Sequence, residues 1–381
     1  MAVKIAIIGG FLGSGKTTTI IQVGKKLVKE LGMRVAIITN DQGEVLVDTH
    51  LAKEFGFSTE EVLQGCFCCK FPEFIKSARE LVAKSRPEVI LAEPVGSCAD
   101  LPATVYAPLR DLYGEEFELA PFIVLVDTPK ILNVHRKLNL LSPSLGASLF
   151  LLSHQICEAE VLALNKVDLV RPNELEDAKA LLKRLNSRAY ILILSAKAGI
   201  GLDQLIKIIL SRHRGPYAYP RIDYDLYAKA ESELGWFDGS WSIHTDKSLQ
   251  VKEFIEYFLI EIAREVHRKG GEIAHLKLFF KTDEGSIKAS LTTLEQGVDI
   301  TEGVSYWAHN GEIVLNARVK LDPDSLEESV CKAVQKASML YDVRFGDQRI
   351  RSFAPPAPKP YFRLKEDASY RKPKEGGSSD F

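Results

Sequence analysis

This chain contains no apolar stretch long enough to cross a membrane. The nearest approach, Leu138 to Leu152, is broken by Asn139, Ser142, Pro143 and Ser144, whereas a spanning helix needs about 20 apolar residues. An excess of either charge is missing too. Its 49 basic residues stand against 51 acidic ones, so no global field draws the chain to nucleic acid or to an anionic membrane. Cysteine is scarce, six in 381 residues, which excludes a disulfide scaffold. The eight histidines are scattered and form no metal-binding tract. The N-terminal apolar run is only a strand long and leads straight into a glycine-rich turn, so it does not read as a signal peptide. These absences leave the expectation of a cytoplasmic protein with about two domains, each able to bury its own core.

The informative features begin within the first twenty residues. Lys4-Ile5-Ala6-Ile7-Ile8 is an apolar strand, Gly9 to Gly15 a glycine-rich turn, and Lys16-Thr17-Thr18 opens a helix. Gly10 to Thr17 fits G-x-x-x-x-G-K-[ST], the phosphate-binding loop. Glycines at Gly10, Gly13 and Gly15 let the backbone N–H groups around Ser14 converge on phosphate oxygens. Lys16 supplies a point charge, the Thr17 hydroxyl a Mg²⁺ ligand, and the helix N-terminus a further positive end.

Apolar strands then alternate with helical segments. Strands end at Asn40-Asp41, Glu93, Asp127, Asn165 and Ser195. With the first, this predicts six strands before about residue 212, in a mostly parallel sheet covered by helices on both faces. That is the α/β fold of a P-loop NTPase, with ligands bound at the carboxyl ends of the strands. The GTPase-type domain is expected over 1–212 and a linker rich in Pro and Tyr over 213–240. A smaller ferredoxin-like α+β domain follows over 241–350. There a strand at Trp241–Thr245 precedes a long helix, a hairpin turns at Asp283-Glu284-Gly285, and a second helix is capped by Asp322 or Asp324. From Arg351 to the end the composition predicts an extended or disordered tail unless something holds it.

Asn165-Lys166-Val167-Asp168 bears on the choice of base. The Asp168 carboxylate suits the N1–H and exocyclic amine of guanine, Asn165 would tie this loop to the phosphate loop, and the Lys166 stem would lie against the base. Ser195-Ala196-Lys197, one strand later, is where a backbone N–H can meet the guanine carbonyl. Glu93-Pro94-Val95-Gly96 offers a magnesium-organising acid and a glycine beside the γ-phosphate. Asp41 reads equally as the residue that orients the attacking water and as a turn or capping aspartate.

Cys66, Cys68 and Cys69 crowd into four positions. Adjacent Cys68 and Cys69 cannot share one face of a strand, whereas on a turn three thiolates converge on one ion. Zn²⁺ fits by availability and Cu(I) by softness, with Co²⁺ or Ni²⁺ held less tightly. Three ligands leave a position open for exchange. A redox pair and structural thiols are the alternatives. Cys98 offers a further ligand, but it reads first as a small buried thiol, as do Cys157 and Cys331.

Taken together, Gly10–Thr17, Asn40-Asp41, Gly65-Cys66-Phe67-Cys68-Cys69, Glu93–Gly96 and Asn165–Asp168 resemble the CobW/HypB/UreG family of P-loop GTPases over roughly residues 1 to 212, and the cysteine motif resembles its CobW-type branch. The resemblance implies Mg²⁺-dependent GTP hydrolysis, with Lys16, Asp41 and Glu93 catalytic and with Thr17 and Glu93 around the magnesium. It also implies a metal on Cys66, Cys68 and Cys69, a client metalloenzyme or cofactor-assembly protein as partner, and nucleotide-controlled homodimerisation. The sequence departs from the branch at Ser97-Cys98-Ala99-Asp100-Leu101-Pro102 and lacks its C-terminal histidine tract. A partner-binding switch without metal transfer, for example one activating a corrinoid-dependent enzyme, and a small-molecule kinase are the rival functions.

Overall fold

The computed structural model describes residues 2–40, 52, 55–63, 65–139, 147–211, 219–302, 307–364 and 370–371. They fall into two compact units. One holds the described residues of Met1–Gln42, Gly56–Tyr227 and Pro358–Phe381, the other those of Gly43–Phe55 and Ala228–Ala357.

The first unit is built on a parallel sheet of eight strands: β1 (Val3–Gly10), β2 (Val35–Asn40), β3 (Ser58–Val62), β4 (Val89–Glu93), β5 (Phe117–Leu119), β6 (Ile123–Asp127), β7 (Val161–Asn165) and β8 (Tyr190–Ile193). The order is β3-β2-β4-β1-β6-β7-β8, and β5 joins beside the first half of β1. Every residue of β4, β6 and β7 is buried, as strands covered on both faces require. Register levels the polar strand ends: Thr39 pairs with Glu93, Gly10 with Leu125, and Asp127 with Asn165. The chemistry-bearing residues therefore share one edge of the sheet.

Two strands escape the apolar pattern. β3 reads Ser-Thr-Glu-Glu-Val and buries only Val62, because an edge strand has little apolar surface to hide. β5 is three residues long, too short for any periodicity. The helix Lys16–Leu31 starts from Gly15 and is stopped by Gly32, whose left-handed backbone lets its N–H cap the Val28 carbonyl.

The second unit has a six-stranded antiparallel sheet: β9 (Gly235–Gln250), β10 (Glu272–Thr282), β11 (Gly285–Leu291), β12 (Asp299–Glu302), β13 (Trp307–Lys320) and β14 (Arg344–Phe353), in the order β12-β11-β10-β13-β9-β14. The helices Val251–Arg268 and Pro323–Tyr341 bury Phe254, Phe258, Ile262 and Val330 in one core with Leu276, Leu278, Ile313 and Leu315. The path β14-β9-β13-β10 with these two helices is the ferredoxin-like arrangement, and β11 and β12 extend it. Asp322 caps the second helix, its carboxylate accepting the Ser325 N–H at 2.8 Å.

The stretch read as a linker, 213–240, carries the helix Tyr224–Ser232 and the first residues of β9; 212–218 lie outside the described residues. β9 begins well before Trp241 because Asp238 is buried inside it, held by Arg318 at 2.8 Å and Asn316 at 2.7 Å. Among the described residues, no helix is long and apolar enough to cross a membrane.

Candidate functional site

The turn Phe11–Ser14, closed by a Ser14 N–H to Phe11 carbonyl bond of 3.1 Å, joins β1 to its helix and contains Gly13. Gly10 and Gly15 hold φ values of 133° and 92°, a region that side chains avoid. A Cβ on Gly10 would stand 2.5 Å from the Leu125 carbonyl oxygen, and one on Gly15 would stand 2.4 Å from Asn165 Nδ2. The cradle thus admits no side chain. Ser14 Oγ is buried with no hydrogen-bond partner among the described residues, a debt that an anion's oxygen settles. Lys16 is buried with Nζ 3.0 Å from the Gly10 carbonyl, and Thr18 sits in the helix's first turn. These residues fit a nucleotide's phosphates.

Thr17 Oγ1 donates to Glu93 Oε1 at 2.9 Å, both side chains buried. Two oxygens at that separation match one edge of an octahedron with bonds of about 2.0–2.1 Å, so the pair fits Mg²⁺. Gly96 lies directly over the loop: a Cβ there would come 2.7 Å from Leu12 Cδ2 and 3.1 Å from Lys16 Nζ. Asp41 lies outside the described residues.

Asn165 ties the base side to the phosphate loop. Its Nδ2 donates to the Ser14 carbonyl at 2.8 Å, and its Oδ1 accepts the Ala196 N–H at 3.0 Å. The Ala196 N–H expected at a guanine carbonyl is therefore donated to Asn165. Ser195 is buried and its Oγ accepts the Ala198 N–H at 3.1 Å, while Lys197 and Asp168 are exposed. Lys166 has a left-handed backbone, φ 63°, and its Nζ pairs with Asp127 Oδ2 at 2.7 Å.

Lys130 is a residue the sequence motifs did not flag. Its Nζ reaches the Leu12 carbonyl at 3.4 Å and sits 4.7 Å from the Phe11 ring centroid. Burial, helped by Lys166 and Lys16 and opposed by Asp127, pushes its pKa down to about 8. In the free protein Lys130 loses its proton as pH passes that value, and an anion in the loop restores it. Nucleotide binding then takes up a proton above pH 8. Affinity for a fluorescent GDP analogue is expected to be level below pH 8 and to fall by up to about tenfold per unit above it. Lys130→Met should remove that slope, and an unchanged slope would discount the lysine.

The cysteine turn is anchored to the end of β2. Asn40 Nδ2 donates to the Val62 and Gly65 carbonyls at 2.8 and 2.6 Å, and Asn40 Oδ1 accepts the Phe67 N–H at 2.9 Å. Phe67 is fully buried against Phe74, with ring centroids 4.5 Å apart. The thiols converge as expected. Cys66 Sγ lies 2.8 Å from Cys68 Sγ and 3.2 Å from Cys69 Sγ, and Cys68 and Cys69 are 3.8 Å apart. Hydrogen bonding with the Cys68 and Cys69 thiols holds Cys66 well below the usual thiol range, and the same closeness pushes Cys68 and Cys69 up. Three sulfurs within 4.8 Å of one another fit a single borderline or soft ion, and loading one releases protons. Cys98 is buried, as a small thiol is expected to be, and the group of sulfurs within 4.8 Å of one another comprises Cys66, Cys68 and Cys69. The other two cysteines differ from expectation, Cys157 being exposed and Cys331 half-buried.

A strap from the C-terminal tail covers this turn. The Lys359 N–H donates to Cys69 Sγ at 3.3 Å, and the Tyr361 N–H to the Cys68 carbonyl at 2.8 Å. Phe362 is buried with its ring edge-on to Phe71 at 5.4 Å. Prolines at 358 and 360 leave Lys359 and Tyr361 as the N–H donors of this segment, and both bind the turn. Arg363, the first residue of β15 (Arg363–Leu364), which pairs with β16 (Tyr370–Arg371), donates from Nε to Asp100 Oδ2 at 2.7 Å. Asp100 also accepts the Tyr224 hydroxyl at 2.7 Å, and His154 Nε2 lies 2.7 Å from Glu158 Oε1. Each buried carboxylate thus has a basic neighbour, and the group fastens the strap to the loop after Gly96. A chain ending at Ala357 is expected to show Cys69 more reactive toward a disulfide reagent because its sulfur is uncovered, a gain reduced by loss of the Lys359 N–H, which favours the thiolate. Equal rates would mean the strap does not shield it.

Residues 4–193 match the model of the CobW/HypB/UreG nucleotide-binding domain. Among curated proteins, the chain is 25% identical over 281 residues to zinc-regulated GTPase metalloprotein activator 1 of Dictyostelium discoideum, spanning 66% of this chain and 55% of that one. It is 34% identical over 127 residues to zinc chaperone YeiR of Escherichia coli, spanning 31% of this chain and 38% of that one. The chain therefore spans about half the length of the first relative and less of the second. Among solved structures, HypB from Helicobacter pylori in complex with nickel aligns at 17% identity over 55% of this chain and 86% of that one, with a TM-score of 0.40. Zn(II)-bound YjiA GTPase from E. coli aligns at 14% identity over 87% and 99%, with a TM-score of 0.35.

Proposed function

Since the chain belongs, through residues 4–193, to the CobW/HypB/UreG family, we propose that it is a GTPase that carries a metal, zinc first, to a client metalloenzyme or cofactor-assembly protein. The relatives named for zinc support that cargo. The phosphate loop binds the nucleotide through its N–H groups, the Ser14 hydroxyl and Lys16. Thr17 and Glu93 would hold Mg²⁺, which supplies charge neutralisation at the phosphates when bound. Asn165 positions the base loop, Asp168 and Lys166 select guanine, and Asp41 orients the attacking water. Cobalt or nickel is the alternative cargo, and dimerisation controlled by nucleotide is part of the reading.

The observation that carries it is the anchoring of the cysteine turn. Asn40, the last residue of β2, makes three hydrogen bonds to the chain around it, and Asn40 aligns just beyond the Thr39–Glu93 pair. The cargo thiols are thus fixed to the strand end next to the magnesium-organising acid. Linkage requires that GTP change zinc affinity by the same factor by which zinc changes GTP affinity. Competition titrations with a zinc chelator in GDP and in a non-hydrolysable GTP analogue should differ at least about fivefold. Equal affinities would sink the coupling. If Cys66→Ser/Cys68→Ser/Cys69→Ser left client activation intact, the metal-free switch would replace it.

A further inference from the structure

One histidine and two carboxylates, none of them part of the sulfur trio or the phosphate loop, converge in the first unit. His154 and Glu158 stand four residues apart on the helix Ala147–Glu158, a spacing that puts both side chains on one face. Asp100 comes from the loop after β4. Gln155, next to His154, donates from Nε2 to the Gly96 carbonyl at 3.0 Å and the Cys98 carbonyl at 2.7 Å, and the Asp100 N–H donates to Glu158 Oε1. The loop is thereby held against the helix, with Asp100 beside the pair. One ligand atom from each of the three residues lies within 4.8 Å of the others. Asp100, His154 and Glu158 are 1%, 8% and 3% exposed.

Pairing within the protein does not fully account for this group. Tyr224 and Arg363 both donate to Asp100 Oδ2, so the guanidinium neutralises one carboxylate. Glu158 has only a histidine for a cation, and a histidine's charge is not permanent. Glu158 Oε2 is buried with no hydrogen-bond partner among the described residues, and His154 Nε2, 2.7 Å from Glu158 Oε1, has no hydrogen-bond geometry either. Buried charged groups are paired or coordinate metal ions. We therefore propose that Asp100, His154 and Glu158 form a second cation site, for a divalent ion taken through one imidazole nitrogen and carboxylate oxygens. The donor set lacks sulfur, so it selects differently from the cysteine turn: Zn²⁺, Co²⁺ or Mn²⁺ suits it, and Cu(I) does not. Two carboxylates outweigh the single guanidinium charge beside them, and Tyr224 and Arg363 orient Asp100 as partners of a ligating carboxylate do. With all three ligands buried, the ion is a resident one that ties the loop after β4 to the helix, not a cargo. No cysteine enters the site, so it stands apart from the metal-carrying reading.

The test uses the full-length chain carrying Cys66→Ser/Cys68→Ser/Cys69→Ser, without nucleotide, so that neither the sulfurs nor the phosphate site contributes. Equilibrium dialysis against Co²⁺ should count one tightly held ion, with no sulfur-to-cobalt charge-transfer absorption. Glu158→Gln, which keeps the oxygen that accepts the Asp100 N–H, and His154→Gln should each weaken its binding by more than about tenfold. Co²⁺ at about a hundredfold excess over its dissociation constant should raise the melting temperature of the parent and leave that of both variants unmoved. No ion in the parent, or undiminished binding in both variants, would overturn the proposal and leave the group as a structural ion cluster. Should a variant fail to fold, anomalous scattering at the cobalt edge from crystals of the parent decides: a peak among Asp100, His154 and Glu158 supports the site, and peaks only elsewhere overturn it. None of these outcomes bears on the cysteine turn, whose reading stands or falls with its own titrations.

Discussion

Replacing Lys16 by methionine is expected to leave the chain folded and to lower the GTP hydrolysis rate by about 10²–10³, the effect of removing one preorganised charge from a phosphoryl-transfer site. The fold should survive because methionine fills the same narrow volume. The Gly10 carbonyl loses one donor, the 3.0 Å bond from Lys16 Nζ, which costs about 1 kcal/mol. The rate should fall because Lys16 is the only cation placed inside the loop by the loop's own sequence, whereas Lys130 and Lys166 arrive from β6 and β7 and have other partners. Phosphate release at saturating GTP and Mg²⁺ measures it. A variant within threefold of wild type would mean that the loop holds phosphate without catalysing its transfer. A variant that melts much earlier would instead mark Lys16 as structural.

Cys66→Ser should weaken zinc binding by more than about a hundredfold. Loss of a supporting group outside the metal's ligands typically costs 10–100-fold, and here a ligand itself goes. Cys66 is the centre of the trio, since it lies closest to both neighbouring sulfurs and they hold its thiol well below the usual range. Serine is nearly isosteric but stays protonated, so the cluster loses the thiolate that a metal meets first. Cys157→Ser, at an exposed position on the far end of its helix, serves as the control and should leave affinity unchanged. Competition against a chromophoric chelator reads both. If the two variants behave alike, the turn is not where the metal sits.

Much of the nucleotide unit is legible in sequence because phosphate chemistry confines residue types to fixed offsets along one turn. Gly10, Gly15, Lys16 and Thr17 declare themselves, and strands such as Val89–Glu93 stand out by continuous burial. What stays hidden depends on partners distant in the chain. Asn40 reads as a polar strand end until its bonds to Val62, Gly65 and Phe67 are seen. Gln155 is one polar residue in a helix until it is found clamping Gly96 and Cys98. β3 hides because its half-buried glutamates carry no apolar signal. β9 is read short because a buried aspartate breaks the alternation, and Arg318 and Asn316, some eighty residues away, explain how Asp238 tolerates its position. The tail shows the opposite limit, since its composition names the condition, something to hold it, but not the holder. Alternating prolines and charges read as unstructured, yet the two N–H groups the prolines spare are those that grip the cysteine turn.

That strap belongs to the same chain as the thiols it covers, and this makes it a competitor with a fixed local presence. A segment of the same chain returns to its groove in an intramolecular event, whatever the concentration of the protein. Any acceptor that reaches the sulfur cluster by displacing Pro358–Leu364 must outbid that presence. A passing thiol or a weak peptide will not, whereas a partner that docks elsewhere on the protein and presents its own ligands locally will. On the proposed metal-carrying function, the strap would set a threshold for delivery, favouring a bound acceptor over dilute ones.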